Sequence, residues 1–203
     1  MKLRIGAVVV ALSSLLPACS AAGDAEPAAA VTEVVTEVVE PEPDIETVDA
    51  FHFESGTLEL GPFDPLEVYP DVFDPCQEIS DEEFAELGYT TDGVTVPLNE
   101  STLMGCTLLS TDTPVLEGLL LSGNLASKDD FLQQTEIISD DISAEVPGMF
   151  LFVAPDEEFN NCGAVVSTER GHLIAFSADA SKPYNQEVHC QRAIKFLERL
   201  KEL

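Results

Sequence analysis

Four cysteines, Cys76, Cys106, Cys162 and Cys190, constrain what this chain can fold into more than any other residues it carries. They fall as two pairs, 30 and 28 residues apart, across a longer gap. Four thiols admit three connectivities, and the spacing favours Cys76–Cys106 with Cys162–Cys190. Each closed loop of about 30 residues would restrict the unfolded chain by roughly 3–4 kcal/mol on the loop-entropy model. No pair has Cys-x-x-Cys spacing, so a zinc site and dithiol redox chemistry are the weaker readings. Bridges need an oxidising compartment, and the start of the chain points to one.

Residues 1–18 read as a secretion signal. Lys2 and Arg4 form a positive start, and residues 5–16 are apolar or small throughout. That run is shorter than the roughly 20 residues a membrane span needs and has the length of a signal h-region. Leu16-Pro17-Ala18-Cys19 follows. It resembles a bacterial lipobox, in which the cysteine receives a diacylglycerol and becomes the new N-terminus. The fifth cysteine, Cys19, is therefore the expected lipidation site. The alternative is secretion with cleavage nearby and Cys19 a bystander. One acyl chain holds a protein at a membrane marginally, whereas two or three hold it stably. No other segment is long and apolar enough to span, so lipid would be the one attachment, on the outer face of the cell membrane.

Charge narrows the partners. No Lys or Arg occurs between Arg4 and Lys128, and removal of residues 1–18 leaves 38 acids against 7 bases, a formal charge of −31. Such a surface repels nucleic acid and anionic headgroups. It allows a cationic partner or divalent cations, or simply confers solubility. Residues 19–50 concentrate the pattern: Ala, Glu, Pro and Val dominate, and "VTEVVTEVVEPEP" repeats a four-residue unit. An acidic segment without aromatics cannot bury enough surface to offset its ordering entropy, so 19–50 reads as an extended stalk. The competing reading places its valines on one helix face or a docking strand.

Residues 51–203 are long enough for one core. The opening "GPFDPLEVYPDVFDPC" has four prolines, which argue against regular helix or central strand. Phe63, Tyr69 and Phe73 are expected to pin an extended segment there. In "CQEISDEEFAELGY", Ser80 and Glu83 form a capping box, Ile79 and Phe84 a hydrophobic staple, and Gly88 a stop. That predicts a helix over 81–87 with Phe84 and Leu87 inward. Strands are expected over 94–97, 103–109, 115–122, 135–139, 148–154, 162–168 and 171–177. A second helix starts at Ser127, with Phe131 and Leu132 inward. A terminal helix over 187–201 carries Cys190, Ala193, Ile194, Leu197 and Leu200 on one face. Short links, including a hairpin turn at Glu169-Arg170-Gly171, predict an α+β fold with a mostly antiparallel sheet.

Certain of these residues are familiar together: the lipobox, the acidic stalk, Asp74-Pro75-Cys76 before a short helix ending in Leu87-Gly88, and a late cysteine in a C-terminal helix ending "FLERL". They resemble a group of actinobacterial envelope lipoproteins, domain-of-unknown-function family 3558, over about 70–200. The layout is also similar to the extracellular sensor domains of certain mycobacterial receptor Ser/Thr kinases, which carry two disulfides beside a cleft. The resemblance implies an actinobacterial envelope and the pairing favoured above. It brings no catalytic residue.

The sequence is poor in recognisable chemistry. His52, His172 and His189 stand apart, and no Gly-x-Ser-x-Gly elbow frames a serine. His172 and His189 could meet at a metal, but single histidines are more often surface or hydrogen-bonded groups. "PDEEFNNCG" at 155–163 gathers hard oxygen ligands without the spacing of an EF-hand. No cofactor, metal or catalytic set is expected. The favoured function is a lipid-anchored binding or sensing module with a small-molecule or protein ligand in a cleft. The alternatives are an accessory lipoprotein docking a protein partner and, less favoured, a hydrolase.

Overall fold

The computed structural model describes residues 48–98, 102–112, 118–155, 160–178 and 185–203. The expectations for the signal, Cys19 and nearly all of the stalk lie outside these residues, as do 156–159 of the acidic loop. Ile45–Leu203 is one compact unit of the chain.

A two-stranded hairpin opens it: β1 (Ala50–Phe53) and β2 (Gly56–Glu59). Its alternation buries Phe51, Phe53 and Leu58 and leaves His52 outside. The remaining strands are β3 (Tyr89–Thr91), β4 (Val96–Leu98), β5 (Leu103–Ser110), β6 (Gly118–Asn124), β7 (Glu136–Ser139), β8 (Phe150–Val153), β9 (Asn161–Thr168) and β10 (Gly171–Ala178). They form one antiparallel sheet in the order β3-β5-β6-β10-β9-β8-β7. β4 pairs with β5 beyond the end of β3, and its Pro97 is tolerated because that edge needs no further donor.

The helices are α1 (Pro65–Val68), α2 (Pro75–Glu78), α3 (Asp81–Glu86), α4 (Lys128–Gln134) and α5 (Gln186–Lys201). α5 lies on β9 and β10 and buries Cys190, Ala193, Leu197 and Leu200 as its periodicity predicts, with His189 and Phe196 beside them. Strand pleating sends alternate residues to opposite faces. Leu173 and Ala175 of β10 meet the layer of α5, α3 and the β1–β2 hairpin. Ile174 meets α4 on the other face, with Phe131, Phe150, Phe152 and Val165. Both faces of β9 and β10 are thus covered, which is why these strands are apolar nearly throughout.

Both disulfides join the cysteines as the spacing favours. Cys76 of α2 is bridged to Cys106 of β5, and Cys162 of β9 to Cys190 of α5, with Cα separations of 5.3 and 5.0 Å. The capping box of α3 is complete: Ser80 Oγ accepts from the Glu83 N–H at 3.2 Å, and Glu83 Oε2 accepts from the Ser80 N–H at 2.8 Å. Glu83 Oε1 also accepts from Glu54 N–H at 2.8 Å, which joins this cap to the β1–β2 turn. Gly88, at φ 85°, closes the helix as expected.

Three expectations need correction. The proline-rich segment is not wholly extended: it contains α1 and α2, each with Pro at the first helical position and an Asp cap, Asp64 and Asp74. Proline interrupts a helix interior, but at N1 its missing N–H costs nothing and its φ is already helical. Of the three aromatics there, Phe73 is buried and Phe63 packs edge-on against His172, but Tyr69 is half exposed. Leu132 is 56% exposed, not inward. One side of α4 faces the sheet, and Phe131 takes that place between Phe150 and Phe152.

Candidate functional site

At the end of the sheet where β6 runs into α4, the chain leaves a pocket of about 410 Å³. One wall is α1 and the residue after it, with Pro65, Leu66 and Tyr69. The facing wall is α4, with Asp130, Phe131, Gln134 and Thr135. Leu125 and Ala126 lie between them, held to the start of β5 by a Leu125 N–H to Thr102 carbonyl bond of 3.0 Å. Leu66 is 88% exposed and Tyr69 51% exposed, although both line an apolar concavity.

The sequence positions each wall by a local rule. Asp64 accepts from Leu66 N–H at 2.8 Å and so starts α1 where Pro65 permits a helix. Ser127 and Asp130 form the reciprocal cap of α4: Asp130 Oδ2 accepts from the Ser127 N–H at 2.9 Å and from its hydroxyl at 2.7 Å. These bonds, side-chain first, hold the Asp130 carboxyl below the usual carboxylate range. Asp130 is therefore ionised at neutral pH.

His172 lies under this region. Its Nδ1 is 2.7 Å from the Ala126 carbonyl, so Nδ1 carries the proton and donates. Phe63, Phe131 and Phe150 surround the ring edge-on. Burial pushes the imidazole below the ordinary histidine value, and Lys128 adds to the effect against the opposing Ala126 bond. The unfolded chain takes up the proton first, so the contribution of neutral His172 to stability is full above about pH 6.5 and fades as the pH falls toward the folded value. His172→Gln is expected to flatten the pH dependence of the urea midpoint between about pH 7 and 5 relative to the wild type. Parallel profiles for the two proteins would remove His172 as a contributor.

Arg170, in the β9–β10 turn, secures the proline-rich wall. Its guanidinium donates two bonds to Glu78, the longer at 2.9 Å, and reaches the Asp71 carbonyl at 3.2 Å. It also lies over the Phe73 ring at 5.6 Å. The pair is partly exposed, so solvent screening reduces its worth. Arg170→Ala is expected to cost about 1–2 kcal/mol in urea unfolding. Arg170→Lys should recover less than half of that, because an ammonium lacks the planar fork. Full recovery by lysine would reduce the role of Arg170 to charge alone.

The three histidines do not converge. His52 is exposed on β1, 3.3 Å from the Thr57 hydroxyl. His172 and His189 lie on opposite faces of the sheet, since His172 packs with Phe131 and Phe150 while His189 contacts Ser177 on the α5 side. Ser177 Oγ is 3.0 Å from His189 Nδ1, a pairing that resembles a nucleophile and its base. Both residues are fully buried, and Arg192 Nη1 approaches the same hydroxyl at 3.4 Å. The pair reads as a core hydrogen bond joining α5 to β10. Among the described residues, no group of three His, Cys, Asp or Glu side chains could hold a metal ion, and no helix is long and apolar enough to cross a membrane.

Of the pocket residues, sequence reasoning reached Tyr69 and Phe131 as packing aromatics, and it reached Ser127 as the start of the α4 wall. It missed Leu66, because nothing in the sequence places a one-turn helix opposite α4. The fold and the site together define a class: a twice-bridged, acidic α+β domain with an apolar pocket at one end of its sheet. The model of a protein family of unknown function, DUF3558, matches residues 14–202, and the chain belongs to that family. No curated protein and no solved structure matches the chain.

Proposed function

We propose that this chain is a binding module of the bacterial cell envelope, exported and held outside the membrane by a lipid on Cys19, and that its ligand occupies the pocket between α1 and α4. The observation that carries the reading is the pocket itself. Leu66 and Tyr69 stand open to solvent beside Leu125 and Phe131. Apolar surface left in water gains about 25 cal/mol per Å² when a ligand covers it, and a concave, mostly apolar site with a few polar groups is the usual form of a small-molecule site. The two disulfides support an oxidising compartment. Membership of DUF3558 supports the resemblance on which the wider expectation of an actinobacterial envelope rests. Burial of Ser177 and His189, away from the pocket, supports binding over hydrolysis.

Two measurements test the proposal. The intact mass of protein taken from its own host should show a chain that begins at a diacylglyceryl-modified Cys19, and an unmodified start would remove the anchor. A thermal-shift screen with envelope lipids, glycans and peptides should give a hit that Leu66→Asp abolishes. Leu66 is exposed, so this substitution leaves the fold intact. A hit indifferent to Leu66→Asp would place the ligand elsewhere.

A further inference from the structure

The lining of the pocket carries charge of one sign. Asp130 is the carboxylate that faces it, and among the described residues that line it there is no Lys, Arg or His. One oxygen of Asp130 is occupied by Ser127, and the carboxylate is exposed on α4. Asp129 precedes it, and Asp64 and Glu67 flank Leu66 in the chain, although they line the neighbouring hollow that holds Arg170; all three are exposed. Lys128, the nearest base along the chain, is already engaged: its Nζ pairs with Asp140 at 2.7 Å and lies 4.8 Å from the centre of the Phe150 ring. His172, beneath the pocket, is neutral. A ligand that entered with a negative head would meet the Asp130 carboxylate with no base in the described lining to offset it. A neutral ligand would use the apolar lining alone.

We infer that the pocket selects a cationic amphiphile, with an alkyl or aryl portion against Leu66, Tyr69, Leu125 and Phe131 and an ammonium or guanidinium group beside Asp130. The inference rests on the pocket being the ligand site, and it names the chemistry that site accepts. Exposed ion pairs contribute little in water, so the apolar portion supplies most of the affinity and the carboxylate supplies the choice between heads. The acids around the rim raise the local concentration of cations and speed their capture at low salt.

The test uses the full chain and three eight-carbon probes, octylamine, octanol and octanoate, kept below the concentrations at which they aggregate. Affinities are read by calorimetry and by amide chemical shifts at the pocket. Octylamine should bind about fivefold more tightly than octanol at low ionic strength. The advantage should shrink toward parity in about 0.5 M salt, where the Debye length falls to a few ångström. Octanoate should bind most weakly. Asp130→Asn, which keeps an acceptor for Ser127, should bring octylamine and octanol to equal affinity. Gln134→Lys, which leaves the cap untouched, should turn the preference toward octanoate, and Leu66→Ser should weaken all three probes. Equal binding of octylamine and octanol would overturn the cationic selectivity and leave the pocket as a ligand site. Binding by none of the three would remove the apolar pocket as a site altogether. Octylamine binding that ignores Leu66→Ser would show adsorption to the acidic surface and overturn the inference.

Discussion

Gly123→Ala is expected to destabilise the domain by about 3 kcal/mol or more, at the upper end of what overpacking of a core costs. Gly123 stands on β6 where the Val72–Phe73 backbone crosses the sheet. A methyl group built there would lie 2.0 Å from the Phe73 carbonyl oxygen, 3.0 Å from its carbonyl carbon and 3.3 Å from Val72 Cγ1. The first two are backbone atoms, so no rotamer change relieves the clash. Either β6 bends out of its ladder with β5 and β10, or Phe73 retreats from its stack on Phe53, where the ring centroids are 5.5 Å apart. For a domain of this size each kcal/mol moves the thermal midpoint by about 2–4 °C, so a drop on the order of 10 °C should appear in a melt. Gly61→Ala is the control. Nothing lies within 4 Å of a methyl group there, and its effect should stay within about 0.5 kcal/mol. Gly123→Ala should also weaken the binding of any ligand in the pocket, because Asn124 and Tyr69 line it from the two stretches of chain that Gly123 brings together. A Gly123→Ala protein as stable as the control would mean that the proline-rich segment does not cross the sheet at contact distance.

How far the sequence reveals this fold depends on which interactions are local. Ser80 with Glu83 and Ser127 with Asp130 announce α3 and α4 because both partners lie within one turn, and each cap is present. The spacing of Cys190, Ala193, Leu197 and Leu200 announces α5 because one face meets one sheet. The β9–β10 hairpin is legible from Glu169-Arg170-Gly171 between two apolar runs. The β1–β2 hairpin is not, since its strands have four residues each and its turn, Glu54-Ser55, is held by Glu83 and Glu78 from far along the chain. α1 and α2 were hidden by prolines, whose effect reverses between the interior and the first position of a helix. The pocket was least legible of all. Its walls are Leu66 and Phe131, which come together because Arg170 draws acids from α2 and from the turn before it onto the β9–β10 turn. No local signal records that convergence. Exposure also defeats periodicity at Leu132, which is apolar yet points away from the sheet.

Loss of both disulfides is expected to prevent folding. Each closes a loop of about 30 residues, worth roughly 3–4 kcal/mol against the unfolded chain. Two such terms approach the whole stability of an ordinary domain, about 5–15 kcal/mol. The two should not be equal in consequence. Cys162–Cys190 fixes α5 to β9 under the largest part of the core, and Leu197, Leu200 and Phe196 still hold that helix when the bridge is cut. Cys162→Ala with Cys190→Ala should therefore lower the thermal midpoint by on the order of 10 °C yet leave a folded domain. Cys76–Cys106 fixes α2, a single turn with little core of its own, to β5. Its removal, Cys76→Ala with Cys106→Ala, should cost a similar free energy but should also loosen the segment from Asp64 to Ile79, which forms one wall of the pocket. Hydrogen exchange should rise there and not in α5. The sulfurs are well covered, with Cys106 and Cys162 fully buried, so reductant alone should act slowly on the native protein and quickly once urea opens it. Four thiols that alkylate freely in protein taken from its host would contradict the bridged fold, and with it the exported life on which the proposed function depends. Equal exchange in α2 and α5 after loss of Cys76–Cys106 would instead show that Arg170 and Glu83 hold the wall without it.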